Sequence, residues 1–358
     1  MKIAFRVDAS NLIGTGHVVR SITLAERMRT YGIECFFICR SHPGNLISYI
    51  RNKNYKVFVL PGEEGTSYKE VDSYNIERLG CHWQVDAEQT KNILDVTHVD
   101  MLIVDHYALD IYWEKSLSDY CCKLIVIDDL ANRKHACDIL IDQNLVHGMD
   151  RRYQYLVPEN CVLLLGPTYA LLQPHYKKFR KYYRPKEKIK KILIYFGGID
   201  SKRLTERSIM ALLCLNYFHI KLHIVISSNN PRKTFICDLI KGRDNIHLHF
   251  DLPTLAPLMS EVDFAIGAGG ATTWERLCLG LPALVITSAE NQVEIARELD
   301  KRGLIWWMGS DNCVSVQDIC NLLKKIINDG DVIEQSKRCL EIVDGRGTER
   351  IMNILNTK

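Results

Sequence analysis

Short runs of apolar, β-branched residues alternate along this chain with longer segments whose apolar positions recur at helical spacing. In the first half, Ile3 to Val7, Ile33 to Cys39, Lys56 to Leu60, Met101 to Val104, Leu124 to Ile127 and Val162 to Leu165 read as strands. Continuous apolar strands joined by helical segments are the mark of a parallel sheet covered on both faces, so a six-stranded, helix-covered sheet is expected. From Tyr176 to Lys191 the chain turns basic, contains Pro185 and has no extended apolar face, which predicts an interdomain linker. The alternation then restarts, with strands over Lys191 to Phe196, Leu222 to Ile226, Ile246 to Phe250, Phe264 to Ile266 and Ala283 to Ile286. Helices are expected from about Ser201, Ala271, Asn291 and Ser315, and a helical turn opens at Pro253. The predicted architecture is α/β: two doubly wound, Rossmann-like domains over 1–182 and 183–358, with an interdomain cleft. The closing segment near Val343 to Gly347 is a candidate to cross back to the first domain.

Size and charge narrow the picture further. A chain of 358 residues is too long for one comfortable core, in keeping with two domains. Lys and Arg (46) nearly balance Asp and Glu (43), and without a long basic run a nucleic-acid partner is not expected. No stretch approaches the ~20 apolar residues of a membrane span, and the first apolar run reaches Asp8 too soon for a secretory signal. A cytoplasmic protein without membrane partners is expected. The 13 cysteines are odd in number, contain no C-x-x-C and sit mostly in apolar runs, as reduced core thiols do. Cys121-Cys122 with His135 and Cys137 is the nearest approach to a zinc site, and no metal or other cofactor is expected.

Two glycine loops carry the candidate chemistry. In the first, the strand ending Arg6-Val7-Asp8 leads through Gly14-Thr15-Gly16 into a helix whose apolar face runs through Val18, Ile22, Leu24 and Ala25. Gly14 and Gly16 let backbone amides approach a ligand, and the helix terminus that follows favours negative charge. A dinucleotide fingerprint is incomplete here, because its third glycine is Val19 and the next strand ends in Cys39-Arg40 without an acidic residue. His17 lies at the positive end of the helix dipole, which disfavours imidazolium and suits a general base, although capping the helix is the plainer role. Asp8 and the Asp105-His106-Tyr107 group stand at strand ends on one sheet edge if their strands are neighbours, able to orient His17, to meet sugar hydroxyls or only to cap turns. Asp128-Asp129 is placed similarly.

In the second loop, Gly267-Ala268-Gly269-Gly270 leads into a helix opened by Thr272 and Thr273, which offer amide and hydroxyl donors to a diphosphate. Glu275 can accept both hydroxyls of a ribose, and Asn291 and Gln292 open the next helix toward the same place. Gly197-Gly198 ends the first strand of the second half, and Phe250-Asp251-Leu252 can present backbone groups to a base. Asp329-Gly330-Asp331 spells a D-x-D, but between two helices it reads as a turn.

Taken together, Arg6-x-Asp8, Gly14-Thr15-Gly16-His17-Val18-x-Arg20, Val104-Asp105-His106-Tyr107, Ile127-Asp128-Asp129, Gly269-Gly270-x-Thr272-x-Trp274-Glu275 and Asn291-Gln292 give the chain a family likeness. It resembles the pseudaminic-acid-pathway hydrolases that act on UDP-2,4-diacetamido-2,4,6-trideoxy-β-L-altropyranose, relatives of the MurG-type glycosyltransferases with the GT-B fold. The likeness spans nearly the whole chain, with extra sequence around Pro61 to Thr90. It implies metal-independent, inverting hydrolysis at the anomeric carbon of a UDP-sugar, with His17 as general base. Asp8, Tyr107 and Asn291 would position water and sugar. Arg6, Gly14, Gly16, Asp105, Gly198, Leu252, Gly270, Thr272, Thr273, Glu275 and Gln292 would bind the substrate. A sugar transferase of the same fold, a nucleotide-sugar 2-epimerase and a noncatalytic nucleotide-sugar sensor are the alternatives. Hydrolysis is preferred over transfer because the first half carries one glycine loop and no clear apolar patch.

Overall fold

The computed structural model describes residues 1–62, 73–182 and 186–356. The chain forms two compact units, one made of 1–144, 148–171 and 346–358, the other of 145–147 and 172–345.

The first unit is a parallel sheet of β1 (Lys2–Val7), β2 (Glu34–Arg40), β3 (Lys56–Leu60), β4 (Met101–Asp105), β5 (Lys123–Ile127), β6 (Ile139–Asp142) and β7 (Val162–Leu165), in the order β3-β2-β1-β4-β5-β6-β7. The expected six strands are therefore seven. The missed strand, β6, is only four residues long and follows β5 through a loop without a helix, so no helical period announced it. Alternation of side chains along β1 sends Ile3, Phe5 and Val7 into one apolar cluster and Ala4 into the opposite one, so the sheet is buried on both faces. The helices of this unit are α1 (Gly16–Arg29), α2 (Ile47–Asn52), α3 (Ser73–Leu79), α4 (Trp83–Thr97) and α5 (Ile111–Leu117).

The second unit holds β8 (Lys191–Tyr195), β9 (Lys221–Ile226), β10 (Ile246–Phe250), β11 (Phe264–Ala268), β12 (Ala283–Thr287) and β13 (Trp306–Ser310), all parallel, in the order β10-β9-β8-β11-β12-β13. Its β13, Trp-Trp-Met-Gly-Ser, lacks an aliphatic run and was not legible as a strand. The helices are α6 (Pro174–Arg180), α7 (Leu204–Cys214), α8 (Lys233–Ile240), α9 (Ala256–Glu261), α10 (Thr272–Leu279), α11 (Val293–Lys301), α12 (Val316–Asp329) and α13 (Val332–Ile342). The final helix, α14 (Gly347–Asn356), returns to the first unit and packs on α1.

The segment read as a linker is partly helical. Pro174 starts α6, its Tyr176 is buried, and Arg180 donates to the carbonyls of Cys278, Leu340 and Val343 within the second unit. The chain accordingly enters the second unit after Leu171, ahead of the expected boundary at 182/183; residues 183–185, with Pro185, lie outside those described. Among the described residues of the extra sequence near 61–90, most are helical, in α3 and the start of α4, while 63–72 lie outside the described residues. Asp329-Gly330-Asp331 is a turn between α12 and α13, where the Asp331 side chain caps α13 by accepting from the Glu334 amide.

Candidate active site

Both sheets reverse their strand order beside the first strand, between β1 and β4 in one unit and between β8 and β11 in the other. Connections diverge from such a switch point and open a crevice at the carboxyl ends of the strands, the usual ligand position in open α/β sheets. Both glycine loops stand there.

In the first unit the chain leaves β1 at Asp8 and makes a tight turn in which Ser10 Oγ accepts from the amides of Leu12 and Ile13, and the Gly14 amide donates to Ser10 O at 2.8 Å. Gly14 has φ +82°, a conformation that favours glycine, and a Cβ on Gly16 would project into open space. His17 follows in the first turn of α1. Its Nδ1 lies 2.5 Å from Asp105 Oδ1 at the end of β4, a strand paired directly with β1. A carboxylate only accepts, so Nδ1 carries the proton and Nε2 is left as the basic nitrogen.

Arg20, one turn further along the same face of α1, grips Asp105 with two bonds, Nε to Oδ2 at 2.7 Å and Nη2 to Oδ1 at 2.6 Å, and reaches Asp129 at 2.9 Å. Burial alone would raise the Asp105 carboxyl, but the Arg20 guanidinium, then His17, hold it well below the usual carboxylate range. The Tyr107 ring meets His17 edge-on, with centroids 4.4 Å apart. Burial, then the Asp129 charge, pushes the Tyr107 phenol far up, so its hydroxyl stays a neutral donor. His17, Asp105 and Tyr107 therefore form one cluster with Arg20 and Asp129.

Asp8 and Arg6 fall elsewhere. Two residues apart at the carboxyl end of β1, they share a sheet face that α4 covers, and both are fully buried. Arg6 pairs with Asp8 at 2.7 Å and with Asp86 of α4 at 2.6 Å; Asp86 also takes Arg40 at 2.6 Å and the Trp113 indole at 3.0 Å. Asp8 also accepts from the Arg40 amide, and its other oxygen faces His106 at 3.4 Å. Asp8, expected to help catalysis, and Arg6, expected to touch substrate, are thus held by other protein side chains. They form the buried lattice that holds the β1, β2 and β4 ends together, and Asp105 is the carboxylate that orients His17. Arg40, at the end of β2, is held in the same lattice by Asp86.

In the second unit Gly197 turns with φ +91°, and the Gly198 carbonyl accepts from Ser227 and Asn230. Leu252 follows Asp251, itself at φ +47°, in the turn after β10. At the end of β11, Gly269 and Gly270 lie against Gln292, whose Oε1 accepts from the Ser288 amide at 3.1 Å. Asn291 and Gln292 occupy the 3-10 turn that precedes α11. Thr272 and Thr273 form the first turn of α10, and no side chain caps that helix. Arg276, missed by the sequence reading, lies beneath them and donates to both hydroxyls. Glu275 is bonded by Tyr176 from α6, and burial pushes its carboxyl up to about 7. Its Oε2 is buried without a partner. Gly198, Leu252, Gly270, Thr272, Thr273, Glu275, Asn291 and Gln292 thus gather at one carboxyl edge.

The zinc alternative finds no geometry. His135 is held by Glu114 at 2.6 Å, Cys137 faces Cys161, and among the described residues no group of His, Cys, Asp or Glu is placed to hold a metal ion. No helix among them is long and apolar enough to cross a membrane.

These features define a GT-B-type protein of two Rossmann-like domains. Over its full length the chain superposes on 99% of Acinetobacter baumannii MurG with TM-score 0.68 at 13% identity. It superposes, over 99% of its length, on 95% of Staphylococcus aureus MnaA in a co-structure with UDP, with TM-score 0.66 at 13% identity. No family model matches the chain. Among curated sequences, it is 28% identical over 304 residues to the UDP-2,4-diacetamido-2,4,6-trideoxy-β-L-altropyranose hydrolase of Campylobacter jejuni, covering 85% of this chain and 97% of that protein. It is 23% identical over 359 residues to the spore coat polysaccharide biosynthesis protein SpsG of Bacillus subtilis, covering 99% and 98%. The resemblance expected from the motifs is borne out by the first of these.

Proposed function

We propose that this chain hydrolyses the glycosyl-phosphate bond of UDP-2,4-diacetamido-2,4,6-trideoxy-β-L-altropyranose, releasing UDP and the free sugar in pseudaminic acid biosynthesis, with inversion and without a metal. The observation that carries this reading is His17 at the mouth of a glycine loop, its Nδ1 bonded to Asp105 and its Nε2 free to accept a proton. A water oxygen attacks the anomeric carbon while Nε2 takes the water proton, and the bond from that carbon to the β-phosphate oxygen breaks. The electron pair of that bond leaves with UDP, which the amides and hydroxyls at the start of α10 stabilise as charge develops. Tyr107 and Asn291 position water and sugar. Glu275 takes the ribose hydroxyls, Gly198 and Gly270 admit the phosphates, and Leu252 presents backbone to the base.

Proton and phosphorus NMR of the protein with this UDP-sugar, without added metal or acceptor, tests the reading. Wild type should release UDP and free sugar, and His17→Ala should keep UDP affinity while losing roughly a hundredfold or more in turnover. Turnover unchanged in His17→Ala would remove His17 as base. Intact substrate that still binds wild type would favour a transferase or a sensor, and a released sugar altered at C2 an epimerase.

A further inference from the structure

We propose that Arg276 is the buried counter-charge of the diphosphate subsite, a positioning residue that anchors the buried Thr273 hydroxyl and turns the half-buried Thr272 hydroxyl outward as a donor. This rests on the reading above that the second unit binds UDP. Arg276 is 2% exposed. Its Nη1 donates to Thr272 Oγ1 at 3.2 Å, and its Nη2 donates to Thr273 Oγ1 at 3.0 Å and to the Ala268 carbonyl at 2.8 Å. A hydroxyl that accepts from a guanidinium keeps its own proton for another acceptor, and the bond behind it makes that proton a stronger donor. Both hydroxyls stand on the first turn of α10, where the helix dipole already favours an anion.

The charge itself points to a ligand. Every other large buried cation of comparable depth here has a carboxylate: Arg6 has Asp8 and Asp86, and Arg40 has Asp86. Among the described residues Arg276 forms no salt bridge, the adjacent Glu275 acts on it only through space, and its Nε is buried without a partner. Burial lowers its pKa only to about 10, so the cation persists at neutral pH. The neighbouring Glu275 carboxyl, raised by burial to about 7, is an incomplete counter-ion. Room for the guanidinium is built into the sheet: a Cβ on Gly267 would stand 2.9 Å from Arg276 Nη1 and 2.6 Å from the Tyr195 carbonyl. An uncompensated buried cation is costly in the free protein, and a bound diphosphate would supply the missing anion.

Calorimetric titration with UDP and NMR titration with uridine, for wild type, Arg276→Met, Arg276→Lys and the Thr272→Val/Thr273→Val double variant, separates the roles. Arg276→Met should lose about tenfold or more in UDP affinity while uridine affinity stays within about twofold. Arg276→Lys, which keeps the charge without the fork, should fall between, and the double valine variant should show the same selective loss. Unchanged UDP affinity in Arg276→Met, or an equal loss for UDP and uridine, would overturn the proposal. Wild type that binds neither ligand would overturn the nucleotide reading itself and this role with it.

Discussion

Replacing Asp105 by Asn probes the best-defined part of the cluster around His17. The Asp105 side chain is 1% exposed and Arg20 is 8% exposed, so Asp105→Asn leaves a buried guanidinium without its bidentate partner. Removing one member of a buried pair costs about 3–5 kcal/mol. Arg20 retains Asp129, whose side chain is 13% exposed and partly solvated, which places the expected loss near about 3 kcal/mol. For a unit of this size that lowers the melting temperature by about 6–12 °C, read by circular dichroism at pH 7. The folded Asp105 carboxyl titrates below its unfolded value, so the pair's contribution is complete above about pH 4. It disappears only as pH falls through the folded value, and the gap between wild type and variant should close in acid. Adding Arg20→Met should recover part of the loss, because the buried guanidinium is gone and the Asp129 carboxylate that it releases is partly solvated. A variant that melts within about 2 °C of wild type, or a double variant less stable than Asp105→Asn alone, would refute the reasoning.

Three further outcomes are expected. Burial opposes the charge on His135, but hydrogen bonds to Asp128 and Glu114 raise it to about 9, so this group's stabilisation is full below about pH 6.5 and lost as pH rises through 9. Melting curves of His135→Gln should lack that alkaline decline. Glu275, raised to about 7, favours its neutral form in the fold, so stability should fall as pH rises from about 4.3 to 7. Glu275→Gln should remove this slope and, by losing a ribose acceptor, weaken UDP binding in calorimetry. Gly267→Ala would bring a Cβ within 2.6 Å of the Tyr195 carbonyl and should destabilise by about 1–3 kcal/mol in chemical denaturation.

The repeated alternation of strand and helix was legible because buried parallel strands are continuous apolar runs. What escaped was short or atypical: β6, without a preceding helix, and β13, built on two tryptophans. Glycine loops and His17 could be read from the chain because a strand, a glycine turn and a helix start leave a local pattern. Partners brought in from afar leave none. Asp86 reaches Arg6 across 80 residues, and Tyr176 reaches Glu275 from a stretch whose basic composition resembled a linker. Asp8 and Asp105 looked equivalent as acidic residues at strand ends; only the packing of α4 over one and of α1 over the other separates lattice from cluster. Arg20 and Arg276 were legible in principle, since each lies three residues from a candidate on its own helix, His17 and Thr273.

The central claim is cleavage at the anomeric carbon by water, and hydrolysis of the UDP-sugar in 18O-enriched water tests it most directly. Mass spectrometry of the UDP released by wild type should show no 18O in the β-phosphate, because the label enters the sugar. Labelled UDP would mean attack at phosphorus, and no UDP at all would mean that this chain is not the hydrolase.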